Sequence, residues 1–317
     1  MATERIDFRA IRRRFRTPLR TGAGMVESAD RILLRGTRPD GRVGYGEVAP
    51  WPGFATESAE QALAELRACH GDLGQLRAAT RTRRLPALAA ALSMIDRWDD
   101  IAAFGGALPC AALLPADATP AEAAQRAAQG WKTLKLKITP ETPLDAARDI
   151  LAATPPELRL RVDANGGLNL VRAREWVTFA RAEPRMEYVE QPLPVDHAGY
   201  VSLGSAKVAL DESFLLAAHA QRWAGLVVAK PSLVGDWTTF LPWARAEPER
   251  VVCSSCFETA IGRQAALWFA SEVGGPRAVG FDTLGWFEAD GRDRHAGGPL
   301  ARGEPGLDWE AFWRDAS

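Results

Sequence analysis

The chain has 317 residues, 47% of them hydrophobic and 25% charged, with a formal net charge of -1. That length holds one large α/β unit or two smaller ones, the composition is ordinary for a globular chain, and the balanced charge excludes bulk attraction to nucleic acid or an anionic membrane. No apolar run reaches 18 residues and "MATERIDFRAIRRRF" lacks the apolar centre of a signal peptide, so a cytoplasmic protein without a membrane span is expected. The arginines at 12 to 16 would suit a mitochondrial presequence, but Glu4 and Asp7 interrupt it and the segment alternates like a strand.

Residues 1–105 form one expected unit. "DFRAIRRRF", "DRILLRGT" and "GRVGYGEV" alternate as strands, the last two joined by the turn residues of "RPDGR", which predicts an antiparallel sheet. "TESAEQALAELRAC" and "LPALAAALSMIDRWDDIAAF" follow with helical spacing, the first opened by Thr56 or Ser58 as a cap. Sheet first and helices second is an α+β module.

From about residue 106 to 290 short apolar strands alternate with helices: "CAALLPAD", "TLKLKI", "LRLRVDAN", "MEYVEQP", "KVALDES", "GLVVAKP", "VVCSSCFE" and "AVGFDT". Thr119, Pro120 and Gly130 bound one crossover helix, and Asn169 and Pro184 another. Eight such strands in fewer than 200 residues fit a (β/α) barrel of TIM type better than an open doubly wound sheet. The tail, 291–317, is too short for a domain and is expected to pack back on the first module.

In a barrel the chemistry gathers at the C-terminal ends of the strands. Here the second to seventh strands end with Lys135 and Lys137, Asp163, Glu190, Asp211, Lys230 and Glu258. A single such residue is most often a cap or a salt-bridge partner, but six consecutive strands weaken that explanation. Asp163, Glu190 and Asp211 come from adjacent strands about 4.8 Å apart, where three carboxylates repel unless a cation lies between them. Oxygen ligands without His or Cys favour Mg²⁺, with Mn²⁺ as second candidate. Lys135 and Lys137 share a strand face, with Lys230 four strands on, across the ring. Two adjacent ammonium groups are expected to lower each other's proton affinity, which is how a lysine becomes a base near neutral pH. A carboxylate substrate on the cation, with a lysine beside its α-carbon, points to proton abstraction α to a carboxylate.

"CSSC" at 253–256 has a redox or zinc spacing, but in a strand residues three apart face opposite sides, so coincidence is expected. His70, His197, His219 and His295 are isolated and show no ligand spacing.

These motifs resemble the enolase superfamily, and within it the o-succinylbenzoate synthases. "GYGEVAPWPGFATES" resembles the loop by which the family's capping domain closes the barrel; "KTLKLKI" its Lys-x-Lys strand; "RVDANGGLN", "VEQP" and "ALDES" its metal strands; "AKPSLVG" its second-lysine strand; "SSCFETAIG" and "GFDTL" the last two strand ends of the synthases. The resemblance implies a modified (β/α)7β barrel with an N-terminal α+β capping domain, and the superfamily's pattern of a lysine base with Mg²⁺. It implies that Asp163, Glu190 and Asp211 hold the metal, Lys137 is base and then acid, Lys230 stabilises the anion, and Lys135 tunes Lys137 and touches the substrate carboxylate. Arg161 and Asn165 would support the site, Ser254 and Ser255 would meet the succinyl chain, and Glu47 and Phe54 would lie on the closing loop as substrate contacts. The implied reaction is dehydration of 2-succinyl-6-hydroxy-2,4-cyclohexadiene-1-carboxylate in menaquinone biosynthesis, with no nucleic-acid partner and the oligomeric state left open. An N-succinylamino acid racemase shares the same lysines, as do other racemases, epimerases and cycloisomerases of the superfamily; a dipeptide epimerase is disfavoured because "FDTLGW" lacks an Asp-x-Asp.

Overall fold

The computed structural model describes residues 4–21, 24–215, 223–293 and 297–316; His219 and His295 lie outside the described residues. Alternation in the N-terminal part builds a three-stranded antiparallel sheet of β1 (Arg5–Thr21), β2 (Gly24–Thr37) and β3 (Val43–Val48). β1 runs past Phe15, where the sequence pattern ends, because a register shift between Arg14 and Leu19 absorbs Pro18 and lets the hairpin continue. Four helices follow: α1 (Ala59–Ala68), α2 (Leu73–Arg83), α3 (Pro86–Asp96) and α4 (Trp98–Ala103). Ser58, not Thr56, caps α1, in a reciprocal pair with Gln61. Sequence periodicity did not mark α2, which buries only Leu73 and Leu76. Helix α3 lies so close to β3 that a Cβ on Gly46 would stand 2.2 Å from the Ala91 carbonyl oxygen. Glycine in this strand is therefore a condition of the packing.

After β4 (Ala107–Pro109), seven parallel strands follow in spatial order: β5 (Ala112–Leu114), β6 (Thr133–Lys137), β7 (Arg159–Asp163), β8 (Met186–Glu190), β9 (Val208–Leu210), β10 (Leu226–Ala229) and β11 (Val251–Cys253). The eighth segment, read as a full strand over "AVGFDT", is reduced to two bridging residues: Val279 pairs with Cys110 and Gly280 with Ser254. They close the ring through Val279 N to Pro109 O at 2.8 Å and Gly280 N to Cys253 O at 2.9 Å. Further along, the Asp282 carboxylate accepts from Leu113 N at 3.0 Å, in place of a ladder carbonyl. A side chain ends this strand early.

The crossovers are α5 (Pro120–Ala128), α6 (Leu144–Ala152), α7 (Leu170–Ala182), α8 (Tyr200–Leu203), a 3₁₀ turn (Glu212–Leu215), α9 (Trp237–Ala246) and α10 (Ala260–Val273). Thr119 and Glu122 form a capping box at α5, and Asn169 caps α7. Alternate strand residues such as Leu134, Leu136, Leu160 and Val162 face these helices, which leaves the other alternation for the barrel interior. The tail joins both units. β12 (Leu300–Arg302) pairs antiparallel with β4, and α11 (Trp309–Arg314) sets Trp309 edge-on to Trp98 at 5.1 Å and Glu310 3.0 Å from Arg35. Among the described residues no helix is long and apolar enough to cross a membrane.

Candidate active site

Register places the charged residues side by side. Lys137 is the Cα partner of Asp163, and Asp163 of Glu190. Asp211 and Lys230 each follow the last residue of their strands, β9 and β10. Lys135 Nζ lies 2.7 Å from Glu190 Oε1 and 2.8 Å from Asp163 Oδ2, Lys137 Nζ donates to Asp163 Oδ2 and to Asn165 Oδ1, each at 2.7 Å, and Lys230 donates to Asp211. Asp163, Glu190 and Asp211 are all buried. The structure thus brings all six acid, base and carboxylate residues read from the sequence into one mouth.

Their mutual electrostatics differ in one respect from expectation. Burial opposes the charge on Lys135, but Asp163 and Glu190 outweigh it and hold the ammonium well above its usual range. Repulsion between the lysines is the weaker effect while carboxylates flank Lys135. Lys230 is likewise raised: burial opposes its charge, and Asp211 and Glu212 outweigh burial. The carboxylates are left crowded. Burial and then the Asp163 charge push Glu190 up to about 7, and burial raises Asp211 to about 6 despite Lys230.

Among the described residues no three carboxylate, thiol or imidazole groups already converge as a finished metal cage, because the Lys135 ammonium stands between Asp163 and Glu190. The donor set nevertheless fits a hard cation. Glu190 Oε2 is buried without a hydrogen-bond partner, and desolvation raises both Glu190 and Asp211, a cost that a bound cation would offset.

Around this set, Asn165 adopts φ +43 and donates its backbone N–H to Asp163 Oδ1 at 2.9 Å, and its side-chain Oδ1 accepts from Lys137. Glu212 was missed by the sequence analysis although it adjoins Asp211; its Oε1 lies 3.5 Å from Asn165 Nδ2, and its Oε2 is buried and unpartnered. Only its place beside Asp211 could have pointed to it. Phe54, on the loop after β3, sets its ring 4.5 Å from Lys230 Nζ. Trp51 anchors that loop by stacking on Phe257 at 4.9 Å.

Two expected substrate contacts, Glu47 and Ser255, are placed otherwise, and Arg161 supports the site from below. Glu47 lies within β3 and not on the loop: it is fully buried, accepts from Thr259 N and Gly262 N at 3.0 Å, takes the Thr259 hydroxyl, and stands 3.7 Å from Arg31. It clamps the start of α10 and has no face toward a ligand. Ser255 donates to Glu258 Oε2 at 2.6 Å and accepts from Phe257 N at 2.9 Å and Thr283 Oγ1 at 3.0 Å, which uses its one proton and both lone pairs. Arg161 sits one layer deeper than Asp163, paired with Glu187 and 5.1 Å from the Tyr188 ring centre, and supports the barrel floor. Ser254 makes a single side-chain bond, to Gly280 O at 3.1 Å. Cys253 and Cys256 are buried free thiols, and burial raises the Cys253 thiol to about 12.

The sequence profile of the family described as enolase C-terminal domain-like matches residues 118–292. A curated o-succinylbenzoate synthase of Thermosynechococcus vestitus is 34% identical over 296 residues, 86% of this chain and 90% of that one, and one of Enterobacter sp. (strain 638) is 28% identical over 94% of this chain and 97% of its own. The crystal structure of o-succinylbenzoate synthase from Thermosynechococcus elongatus BP-1, complexed with Mg in the active site, superposes with a TM-score of 0.82 at 30% identity, covering 98% of this chain and 99% of that one. An L-Ala-D/L-Glu epimerase of Bacillus subtilis shares the fold, with a TM-score of 0.70 at 23% identity over 97% of this chain and 98% of its own.

Proposed function

The chain belongs to the enolase superfamily, and from that premise we propose that it is an o-succinylbenzoate synthase, a hydro-lyase that converts 2-succinyl-6-hydroxy-2,4-cyclohexadiene-1-carboxylate to o-succinylbenzoate in menaquinone synthesis. The observation that carries the reading is the meeting of Lys135 and Lys137 with Lys230 around Asp163, Glu190 and Asp211 in one barrel mouth, in a chain 34% identical to a curated synthase.

Lys137, as the free amine, removes the proton on the ring carbon that bears the carboxylate. The electron pair moves onto that carboxylate as an enediolate, and when it returns the 6-hydroxyl departs as water with the proton that Lys137 took. One lysine serves both steps because the aromatic ring that forms drives the second. Asn165, 2.7 Å from Lys137 Nζ, fixes the amine's direction. Lys230, held charged by Asp211, lends its field to the developing anion, and the Phe54 ring packs against the ammonium at 4.5 Å. Asp163, Glu190 and Asp211 would hold Mg²⁺, which would supply positive charge for the substrate carboxylate.

Metal removal tests this directly. EDTA is expected to abolish turnover reversibly, with activity restored by Mg²⁺ or Mn²⁺; full activity in verified metal-free protein contradicts the role given to the three carboxylates. Phe54→Ala is expected to raise KM about fivefold, for a cation–π contact of about 1 kcal/mol, with a smaller change in kcat. An unchanged KM would remove Phe54 from the site.

A further inference from the structure

The loop after β11 holds a second hydrogen-bonded system that this chemistry leaves unused. Thr283 donates to Ser255 at 3.0 Å, Ser255 donates to Glu258 Oε2 at 2.6 Å, and Ser232 donates to Glu258 Oε1 at 2.8 Å. The three hydroxyls come from the loops after the eighth, seventh and sixth barrel positions, so one buried carboxylate joins three neighbouring strand ends. Glu258 also takes Cys256 N at 3.0 Å. Ser232 follows Lys230 by two residues.

The loop is held in a costly shape. Phe257 has φ +64, a region that bulky residues avoid. Its N–H goes to Ser255 Oγ at 2.9 Å, and its carbonyl accepts from Arg31 Nε at 3.2 Å. The capping sheet adds Arg31 to Cys256 O at 2.6 Å and Arg13 to Glu258 O at 3.2 Å. Each strand of that sheet thus sends one buried charged residue, Arg13, Arg31 or Glu47, to residues 256–262. Bonds within the loop and from the sheet together fix one conformation.

We propose that Glu258 is a positioning residue for the proposed reaction: through Ser232 it sets the loop that carries Lys230, and through Ser255 and Thr283 it sets the opposing wall. The proposal rests on the role given to Lys230, so the test separates the two. Thr283→Val removes one hydroxyl at nearly constant shape and touches none of the reacting groups. Its kcat is expected to fall about tenfold, the effect of one hydrogen bond of about 1.4 kcal/mol, with KM within twofold. Amide hydrogen exchange over residues 232–233 and 254–257 is expected to quicken about tenfold by the same energy, and Thr283→Ser is expected to restore both. Wild-type turnover of the cyclohexadiene carboxylate judges the proposed function alone, whereas exchange over 232–233 judges this inference whatever that turnover is. Unchanged exchange there in Thr283→Val, or a lowered melting temperature with kcat intact, overturns the positioning role.

Discussion

Lys137→Ala is expected to lower turnover about 10⁴-fold, the full value of a positioned acid–base group, while the protein folds and binds Mg²⁺. The fold is insensitive because the Lys137 side chain, 32% exposed, projects into the mouth from an otherwise buried strand, and its loss leaves Asp163 still paired with Lys135. The chemistry is sensitive because Lys135, pinned between Asp163 and Glu190, cannot swing to the same carbon without leaving both. Lys230→Ala is expected to lower kcat about 10³-fold, the usual loss when a preorganised charge facing the transition state is removed. Steady-state kinetics on both variants, with circular dichroism to verify folding, checks the pair. Wild-type rates in either would remove that lysine from the mechanism.

The largest effect on stability is expected far from the chemistry, at Glu47. Glu47→Ala would strand the buried Arg31 guanidinium and leave Thr259 N–H and Gly262 N–H without their acceptor. Removing one partner of a buried ion pair costs about 3–5 kcal/mol. The site cannot relax easily, since Gly262 approaches so near that a Cβ there would lie 2.7 Å from Glu47 Oε2. Urea denaturation is expected to show the transition midpoint moved strongly down, and a midpoint within error of wild type would contradict the clamp. Because Glu47 holds the helix that follows the Ser254–Glu258 loop, activity is expected to fall before the fold is lost.

The meeting of these lysines and carboxylates was legible because it rests on two local regularities. Period-two alternation assigns Lys135, Lys137 and Asp163 to the barrel interior, and strand adjacency brings Asp163, Glu190 and Asp211 together. Both hold in any parallel barrel whatever the details of the loops. Glu47 was not legible in the same way. Alternation in "VGYGEV" marks it as one face of a strand, but only the assembled contact between β3 and α10 makes that face an interior, 212 residues away along the chain. Ser255 shows the same limit: its hydroxyl looks available in sequence and is consumed by Glu258, Phe257 and Thr283 in the fold. The eighth strand was overestimated because Asp282 supplies a side-chain acceptor where the pattern implied a backbone one. The electrostatics of Lys135 were only half legible, since proximity of two lysines is visible in "KLK" whereas the carboxylates that flank Lys135 and raise it come from other strands.

That Lys137 drives loss of water from a cyclohexadiene carboxylate is tested most directly in D₂O with Mg²⁺, by ultraviolet spectroscopy of that reaction and by proton NMR of N-succinyl-L-amino acids under the same conditions. The account predicts rapid appearance of the aromatic product with wild-type protein and almost none with Lys137→Ala. Failure of the wild type to aromatise the cyclohexadiene, while it exchanges the α-proton of the N-succinylamino acids for deuterium, would contradict it and assign the same lysines to a racemase.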